Sequence, residues 1–270
     1  MIREYIAKDS QVGLSKKVNI VQIISKRRER LRDEIVREVP LTILVNEKEL
    51  VTLQCSPHNL EYLTIGFLLS EGIIGKGAEI EYINLNKKGW YIRVGLRGDF
   101  SVDKYLSGKR IIGSGCSGIV TFYRDIDAQR CVPLQNETEY SYQKISSLMR
   151  QFQQSSLTFK HTGGVHSCAL CSQEGIEIFT EDIGRHNAMD KIFGECFIKG
   201  ISTQDKFVLT SGRVSSEILI KAVKQKVPII ASHSAPTDLA VGLAEKLNLT
   251  LIGFVRGCRM NIYTNNYRVI

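Results

Sequence analysis

Three runs in the second half of this chain set an arginine beside a glycine, and each follows or closes a stretch of apolar residues. They are Asp182-Ile183-Gly184-Arg185-His186-Asn187, Ser211-Gly212-Arg213-Val214-Ser215-Ser216-Glu217 and Phe254-Val255-Arg256-Gly257-Cys258-Arg259. A fourth run, Ser232-His233-Ser234-Ala235-Pro236-Thr237, offers hydroxyls and a helix start. Glycine lets a backbone N–H approach a ligand, a helix N-terminus presents unpaired N–H groups, and arginine grips phosphate through two parallel hydrogen bonds. One such pair is ordinary loop chemistry with a solvated arginine. Repetition at several strand ends predicts a wide site for a polyanion with more than one phosphate. No Walker-type phosphate loop is present, and no Gly-x-Gly-x-x-Gly run stands at these strand ends, which argues against an ordinary nucleotide hydrolase or dehydrogenase.

A second constellation is Gly113-Ser114-Gly115-Cys116-Ser117-Gly118, a thiol among three glycines and two serines. Little side-chain bulk is available to bury it, so Cys116 is expected to be exposed and mobile. That suits a thiolate nucleophile or the carriage of sulfur as a persulfide, and equally an incidental cysteine in a surface loop. A third is His161-x4-His166-Ser167-Cys168-Ala169-Leu170-Cys171. Zinc, dithiol redox chemistry and simple packing are all open to Cys-x-x-Cys. On a strand the two thiols, three apart, point to opposite faces, which favours packing. A Pro-Cys-x-x-Cys partner for His166, as in zinc deaminases, is missing, and no metal is expected. Cys55, Cys131, Cys196 and Cys258 read as small apolar fillers. On the helix after Gly184, His186 and Asp190 fall one turn apart, so that Asp190 could orient the imidazole, while Glu181 and Asp182 could cap that helix.

These residues need elements to hold them. Leu41–Val45 and Leu50–Leu53 flank the polar turn 46–49 and read as a hairpin. Ser56-Pro57 reads as an N-cap with proline in the first turn, opening a helix whose Leu60, Leu63, Phe67 and Leu68 share a face until Gly72. Strands near Ile80–Leu85 and Trp90–Val94 make this half mixed and mostly antiparallel. Residues 98–137 hold no strongly periodic element and read as a connection. Beyond them come a helix over Tyr142–Phe152, strands near Gly164–Leu170 and Ile176–Thr180, a helix from Arg185 to Phe197, and the apolar strands Phe207–Thr210, Val227–Ala231 and Leu249–Phe254 separated by helices. Such alternation predicts parallel sheet covered on both faces, with ligands off the carboxyl ends of the strands. The division expected is residues 1–137, a smaller α+β unit ending in the cysteine loop, and 138–270, an α/β unit.

The chain has 270 residues, 43% hydrophobic and 24% charged, which excludes disorder and fibre architectures. Its net charge is +8, and the first forty residues, with ten basic and six acidic side chains, hold half of that excess. This arm is expected to be solvated; docking of Arg27, Arg28 and Arg30 on an acidic partner is one role for it, and nucleic-acid binding is ranked last because few aromatics interleave. No apolar run spans a bilayer and the start lacks the apolar core of a signal peptide. Seven cysteines, an odd number, are therefore expected in a reducing cytoplasm.

The segments Thr162-Gly163-Gly164-Val165-His166, Glu181-Asp182-Ile183-Gly184-Arg185-His186-Asn187-Ala188-Met189-Asp190-Lys191, Ser211–Glu217, Ser234-Ala235-Pro236-Thr237 and Gly253-Phe254-Val255-Arg256-Gly257 resemble, in order and spacing, the FdhD family of formate dehydrogenase accessory proteins. The resemblance covers most of residues 40–263. It implies a cytidine-deaminase-like three-layer C-terminal domain without zinc, beside a smaller mixed α+β N-terminal domain. It implies a sulfurtransferase that takes sulfane sulfur from a cysteine desulfurase as a persulfide on Cys116. The sulfur passes to the metal of bis-molybdopterin guanine dinucleotide, for which a guanine nucleotide is a partial mimic, and the cofactor then serves apo-formate dehydrogenase. Phe254, Val255, Arg256, Gly257, Cys258 and Arg259 match the family's cofactor-binding segment. Arg185, His186, Ser211, Gly212 and Arg213 join them as candidates from the strand-end reading. A homodimer is expected, with no nucleic acid and no membrane among its partners. The alternative is a chaperone that delivers the cofactor without transferring sulfur. Many family members carry Cys-Gly-x-Cys-Gly in the loop, whereas this chain has Cys116 alone, so a second, resolving thiol is not supplied there.

Overall fold

The computed structural model describes residues 13–75, 80–98, 100–106, 111–112, 120–121 and 131–270. It opens with a feature the charge-based reading missed. Ser15–Ile24 (β1) and Arg27–Val36 (β2) form a two-stranded antiparallel ribbon rather than a merely solvated arm. Ser25 and Lys26 turn the chain with φ of 47° and 75°. Two positive φ angles suit a two-residue turn whose twist matches the strands, and such turns are usually signalled by Asn-Gly, absent here.

A four-stranded sheet follows, built from Val39–Val45 (β3), Lys48–Cys55 (β4), Ile80–Asn86 (β5) and Tyr91–Leu96 (β6) in the order β4-β3-β6-β5. The β3–β4 and β5–β6 pairs are antiparallel and β3–β6 is parallel, which matches the mixed character expected. Leu41, Ile43, Val45, Leu53, Ile83, Ile92 and Val94 turn one face of this sheet into a core shared with Leu60–Ser70 (α1). The helix does not begin at Ser56. Asn59, at φ 55°, precedes it, and Ser56 is buried with its N–H and hydroxyl engaged elsewhere. A short helix, Val102–Leu106 (α2), and two two-residue strands, Ile111–Ile112 (β7) and Val120–Thr121 (β8), occupy the connection. Ile111 pairs with Thr121 and Ile112 with Val120. Cys116 lies between these strands in the chain and outside the described residues.

The second half carries Tyr142–Ser155 (α3), Leu157–Thr162 (α4), His166–Cys171 (β9), Ile176–Asp182 (β10), Arg185–Lys199 (α5), Phe207–Thr210 (β11), Ser216–Lys224 (α6), Ile229–Ser232 (β12), Asp238–Lys246 (α7), Thr250–Arg256 (β13) and Arg259–Ile262 (β14). Its six strands run β10-β9-β11-β12-β13-β14, with β11, β12 and β13 parallel and the rest antiparallel to their neighbours. Alternate residues feed two cores. Cys168, Leu170, Val208, Ile230 and Leu251 meet α5, α6 and α7 on one face; Ala169, Cys171, Leu209, Ala231 and Ile252 meet α3 on the other. The sheet is therefore buried on both sides, as continuous apolar strands require.

The two halves meet where α1 crosses α5. A Cβ on Gly66 would fall 1.7 Å from the Asp190 carbonyl oxygen, and one on Gly194 would fall 1.9 Å from that of Tyr62. The backbones touch, and only glycine permits that approach. All of α1 except Tyr62 is buried as a result, and Ile198 of α5 joins the core of the first sheet.

Candidate functional site at the strand ends

β9 runs against its neighbours, so its first residue lies beside their last, and His166 pairs with Asp182. The loops after β10, β11 and β12 meet the loop before β9 around a cleft of about 460 Å³. Phe152, Phe159, Val165 and Ile183 give it apolar walls, and His166, Ser211 and His233 face it with polar groups.

Ser211 is held from both directions. Its N–H donates to the Ser167 carbonyl at 3.1 Å, and its hydroxyl accepts the Ser167 N–H at 3.0 Å and lies 3.3 Å from His166 Nδ1. Gly212 comes next, and a Cβ there would stand 3.1 Å from Cβ and Cδ of Arg185 and 3.4 Å from His166 Nδ1. Arg185, at the start of α5, thus lies across the Gly212 backbone with His166 alongside. Burial, then the charges of Arg185 and Arg213, hold the His166 imidazole below its ordinary pKa, so it is neutral near pH 7. His233 is lowered in the same way by burial and Arg256.

The remaining strand ends are laced to this centre. Ser232 Oγ donates to the Gly212 carbonyl at 2.8 Å and accepts the Ser234 N–H at 2.9 Å. The Phe254 N–H donates to the Ser234 carbonyl at 3.0 Å, and Arg256 Nε donates to the His233 carbonyl at 3.4 Å. Phe254 has φ of 52°, a conformation costly for an aromatic residue, where the β13–β14 register shifts between Gly253 and Arg256. The Arg256 guanidinium lies 5.6 Å from its ring centre. Val255 is buried in the α3-side core, so that position offers backbone alone. Arg213, Arg256, Gly257, Cys258 and Arg259 are exposed. An exposed Cys258 corrects its reading as an apolar filler; the turn between β13 and β14 has no core to bury it in. Cys55 and Cys196 are buried, and Cys131 packs against the core from a half-buried position.

Beneath the cleft, Asp182 acts as the hub. Its Oδ1 accepts the Gly184 N–H and Asn187 Nδ2, both at 2.9 Å, which fixes the turn into α5, although the helix start at Gly184 carries no side-chain cap. Its Oδ2 accepts the Ser56 N–H at 3.1 Å and pairs with Lys191 at 2.7 Å, while Ser56 Oγ accepts the Ile183 N–H. Glu181 instead caps α4, accepting from Ser156 Oγ and the N–H groups of Thr158 and Phe159. Asp190 does not orient His186. It takes Lys221 Nζ at 2.5 Å and Ser70 Oγ at 2.6 Å. His186 turns the other way, with Nε2 3.3 Å from Glu217 Oε2 but out of hydrogen-bond alignment. Burial, then Lys221 and Arg185, push its pKa well below the ordinary value.

Cys168 and Cys171 lie in opposite cores, and burial pushes both thiols far up, which suits packing rather than reactivity. The described cysteines are all free. Among the described residues no three His, Cys, Asp or Glu side chains gather to hold a metal, and no helix is long and apolar enough to cross a membrane.

Of the residues expected from the sequence, Arg185, Ser211 and Gly212 come together with His166, Arg213 stands at their rim, and the 254–259 turn is joined through His233 and Ser234. His186 sits below, facing α6. Ser56, Ser167 and Ile183 were missed as parts of the site. Only the antiparallel placement of β9, which a sequence does not display, puts Ser167 there.

The model of the FdhD/NarQ family matches residues 36–270. The chain is 42% identical over 240 residues to the sulfur carrier protein FdhD of Bacillus subtilis (strain 168), covering 89% of this chain and 92% of that one. It is 44% identical over 237 residues to the protein of the same name from Bacillus pumilus (strain SAFR-032), covering 88% and 90%. Its fold is similar to the crystal structure of a formate dehydrogenase accessory protein from Desulfotalea psychrophila, with TM-score 0.80 and 27% identity across 96% of this chain and all of that one. With the match running from the end of the ribbon to the last residue, through every strand-end loop described above, the chain belongs to the FdhD/NarQ family.

Proposed function

We propose that this protein is a sulfurtransferase that carries sulfane sulfur on Cys116 from a cysteine desulfurase to the metal of bis-molybdopterin guanine dinucleotide, which apo-formate dehydrogenase then receives. In the loading step the Cys116 thiolate attacks the outer sulfur of the donor's persulfide. That S–S bond breaks, the donor thiolate leaves, and a new S–S bond holds the sulfur on Cys116. The relatives' name, sulfur carrier protein, supports this role.

The observation that carries the substrate side is the crowding of Arg185 and His166 over a glycine. A side chain at residue 212 would press on Arg185 and His166, so glycine there is what lets Arg185 lie close across this strand end. Arg185, Arg213 and Arg256 supply charge to several phosphates, and the neutral His166 and His233 supply hydrogen bonds without adding charge. The strand order of the second sheet, with helices on both faces, supports a cytidine-deaminase-like reading of that half. Free, buried thiols suit a reducing compartment such as the cytoplasm.

The test is mass spectrometry of the protein after incubation with a desulfurase and cysteine. A persulfide that disappears in Cys116→Ala supports the carrier, and an undiminished one rules Cys116 out. A cofactor chaperone would tolerate Cys116→Ala in a formate dehydrogenase activation assay, whereas a transferase yields dehydrogenase with cofactor and no activity.

A further inference from the structure

The N-terminal ribbon has two faces of different chemistry. The register pairs Asn19 with Arg32, Val21 with Arg30 and Ile23 with Arg28, which places these six side chains on one face, all of them exposed. Arg28, Arg30 and Arg32 form a column with about 6.8 Å between neighbours, the repeat of every second strand residue. Val21 and Ile23, 47% and 67% exposed, form an aliphatic column beside it. The carboxylate on this face, Glu34, is taken by the Ser15 hydroxyl and stands 3.5 Å from His161 Nδ1. Among the described residues no ion pair reaches the three arginines. The opposite face differs: Arg27 and Lys16 share it with Glu29 and Asp33, and its charges balance.

The base of the ribbon stands at the cleft. A Cβ on Gly164 would fall 2.6 Å from Val36 Cγ1, and Gly164 lines the strand-end cleft together with Val165 and His166. The family match begins at residue 36, the last residue of the ribbon.

We propose that the Arg28-Arg30-Arg32 face of the ribbon is a docking surface for an acidic protein that exchanges sulfur or cofactor with the cleft. An unneutralised arginine column calls for carboxylates, and an aliphatic column at its side calls for an apolar stripe. A protein surface offers both. A nucleic acid would satisfy the arginines and leave Val21 and Ile23 against a phosphate backbone, and residues 15–36 contain no aromatic side chain on which a base could stack. The choice of partners to test rests on the proposed sulfur route; the surface itself rests on the ribbon.

The experiment titrates the full chain against a cysteine desulfurase and against apo-formate dehydrogenase by fluorescence anisotropy. In the variant Arg28→Glu/Arg30→Glu/Arg32→Glu, affinity for at least one of them falls about tenfold or more at low salt, and the wild-type affinity weakens as salt rises. Arg27→Glu, the same kind of charge change on the other face, stays within about twofold. Val21→Ser/Ile23→Ser weakens binding with little salt dependence. The triple Arg→Gln variant, which introduces no repulsion, gives a smaller loss in the same direction and guards against a ribbon disrupted by three carboxylates. The proposal is overturned if the wild type binds neither protein, if the triple Glu variant binds both as the wild type does, or if what it loses is affinity for a single-stranded oligonucleotide. A wild-type chain that binds the desulfurase yet takes no sulfur on Cys116 overturns the sulfur route and leaves the surface standing.

Discussion

Lys221 of α6 reaches Asp190 of α5 with 2.5 Å between nitrogen and oxygen, and both side chains are almost wholly buried. Ser70 of α1 donates to the same carboxylate, and Lys224 donates to the Ser70 carbonyl, so three helices share one polar knot. Removing one partner strands the other charge in a low-dielectric interior. Asp190→Ala is therefore expected to cost about 3 to 5 kcal/mol, measured as a lowered urea midpoint. Asp190→Leu combined with Lys221→Met should recover much of that loss. A single variant within 1 kcal/mol of wild type would contradict this account of the knot.

His186 sets an acid limit on stability. Its folded pKa lies below the value of about 6.5 for an unfolded chain, so the unfolded state takes up the proton first. Its contribution is complete above pH 6.5 and is lost as pH falls from there toward the folded pKa, with a slope of up to about 1.4 kcal/mol per pH unit. His166 and His233 are shifted in the same direction. Melting temperatures recorded from pH 8 to 5 should fall across that window, and His186→Phe should flatten the fall.

At the helix crossing, Gly66→Ala or Gly194→Ala would push a methyl group into a backbone carbonyl. The expected destabilisation is about 3 kcal/mol, at the upper end of overpacking costs because backbone must move. Thermal unfolding measures it. Gly242→Ala on α7, where a Cβ meets nothing within 4 Å, is the control and should instead stabilise by about 0.5 to 1 kcal/mol.

Guanosine diphosphate offers a readout of the cleft apart from sulfur chemistry. Arg185→Ala is expected to weaken its binding about 10- to 100-fold in calorimetry, the size of a charge-assisted hydrogen bond lost. Gly212→Val should weaken it as well by filling the space beside Arg185. Neither variant should diminish persulfide loading of Cys116, which separates substrate binding from sulfur carriage.

Much of this could be read without coordinates because the informative residues sit on strongly periodic elements. Apolar strands ending in Gly-Arg announce which loops converge, and Arg185, Ser211 and Gly212 do come together at the cleft. Cys168 and Cys171 were resolved by strand alternation alone. The ribbon was not, since its arginines dominate the composition while Val18, Ile20 and Leu31 are spaced among them too sparsely to outweigh charge. Ser56 was misjudged because Ser-Pro ahead of an apolar face looks like a cap, and its true partner, Asp182, is remote in the chain. Asp190 was assigned to His186 by helical spacing, but a lysine on another helix won it. Long-range partners of buried charges are settled by packing, which no local pattern encodes.

The crossing of α1 and α5 also bears on time. Halves joined backbone to backbone at Gly66 and Gly194 cannot slide or hinge there without rupturing the core on both sides. Adjustments of the cleft fall to the strand-end loops, whose motions run on nanoseconds to microseconds rather than the microseconds to milliseconds of domain closure. Relaxation dispersion should accordingly be quiet across this helix pair, so that a visiting partner meets a fixed frame with quick edges.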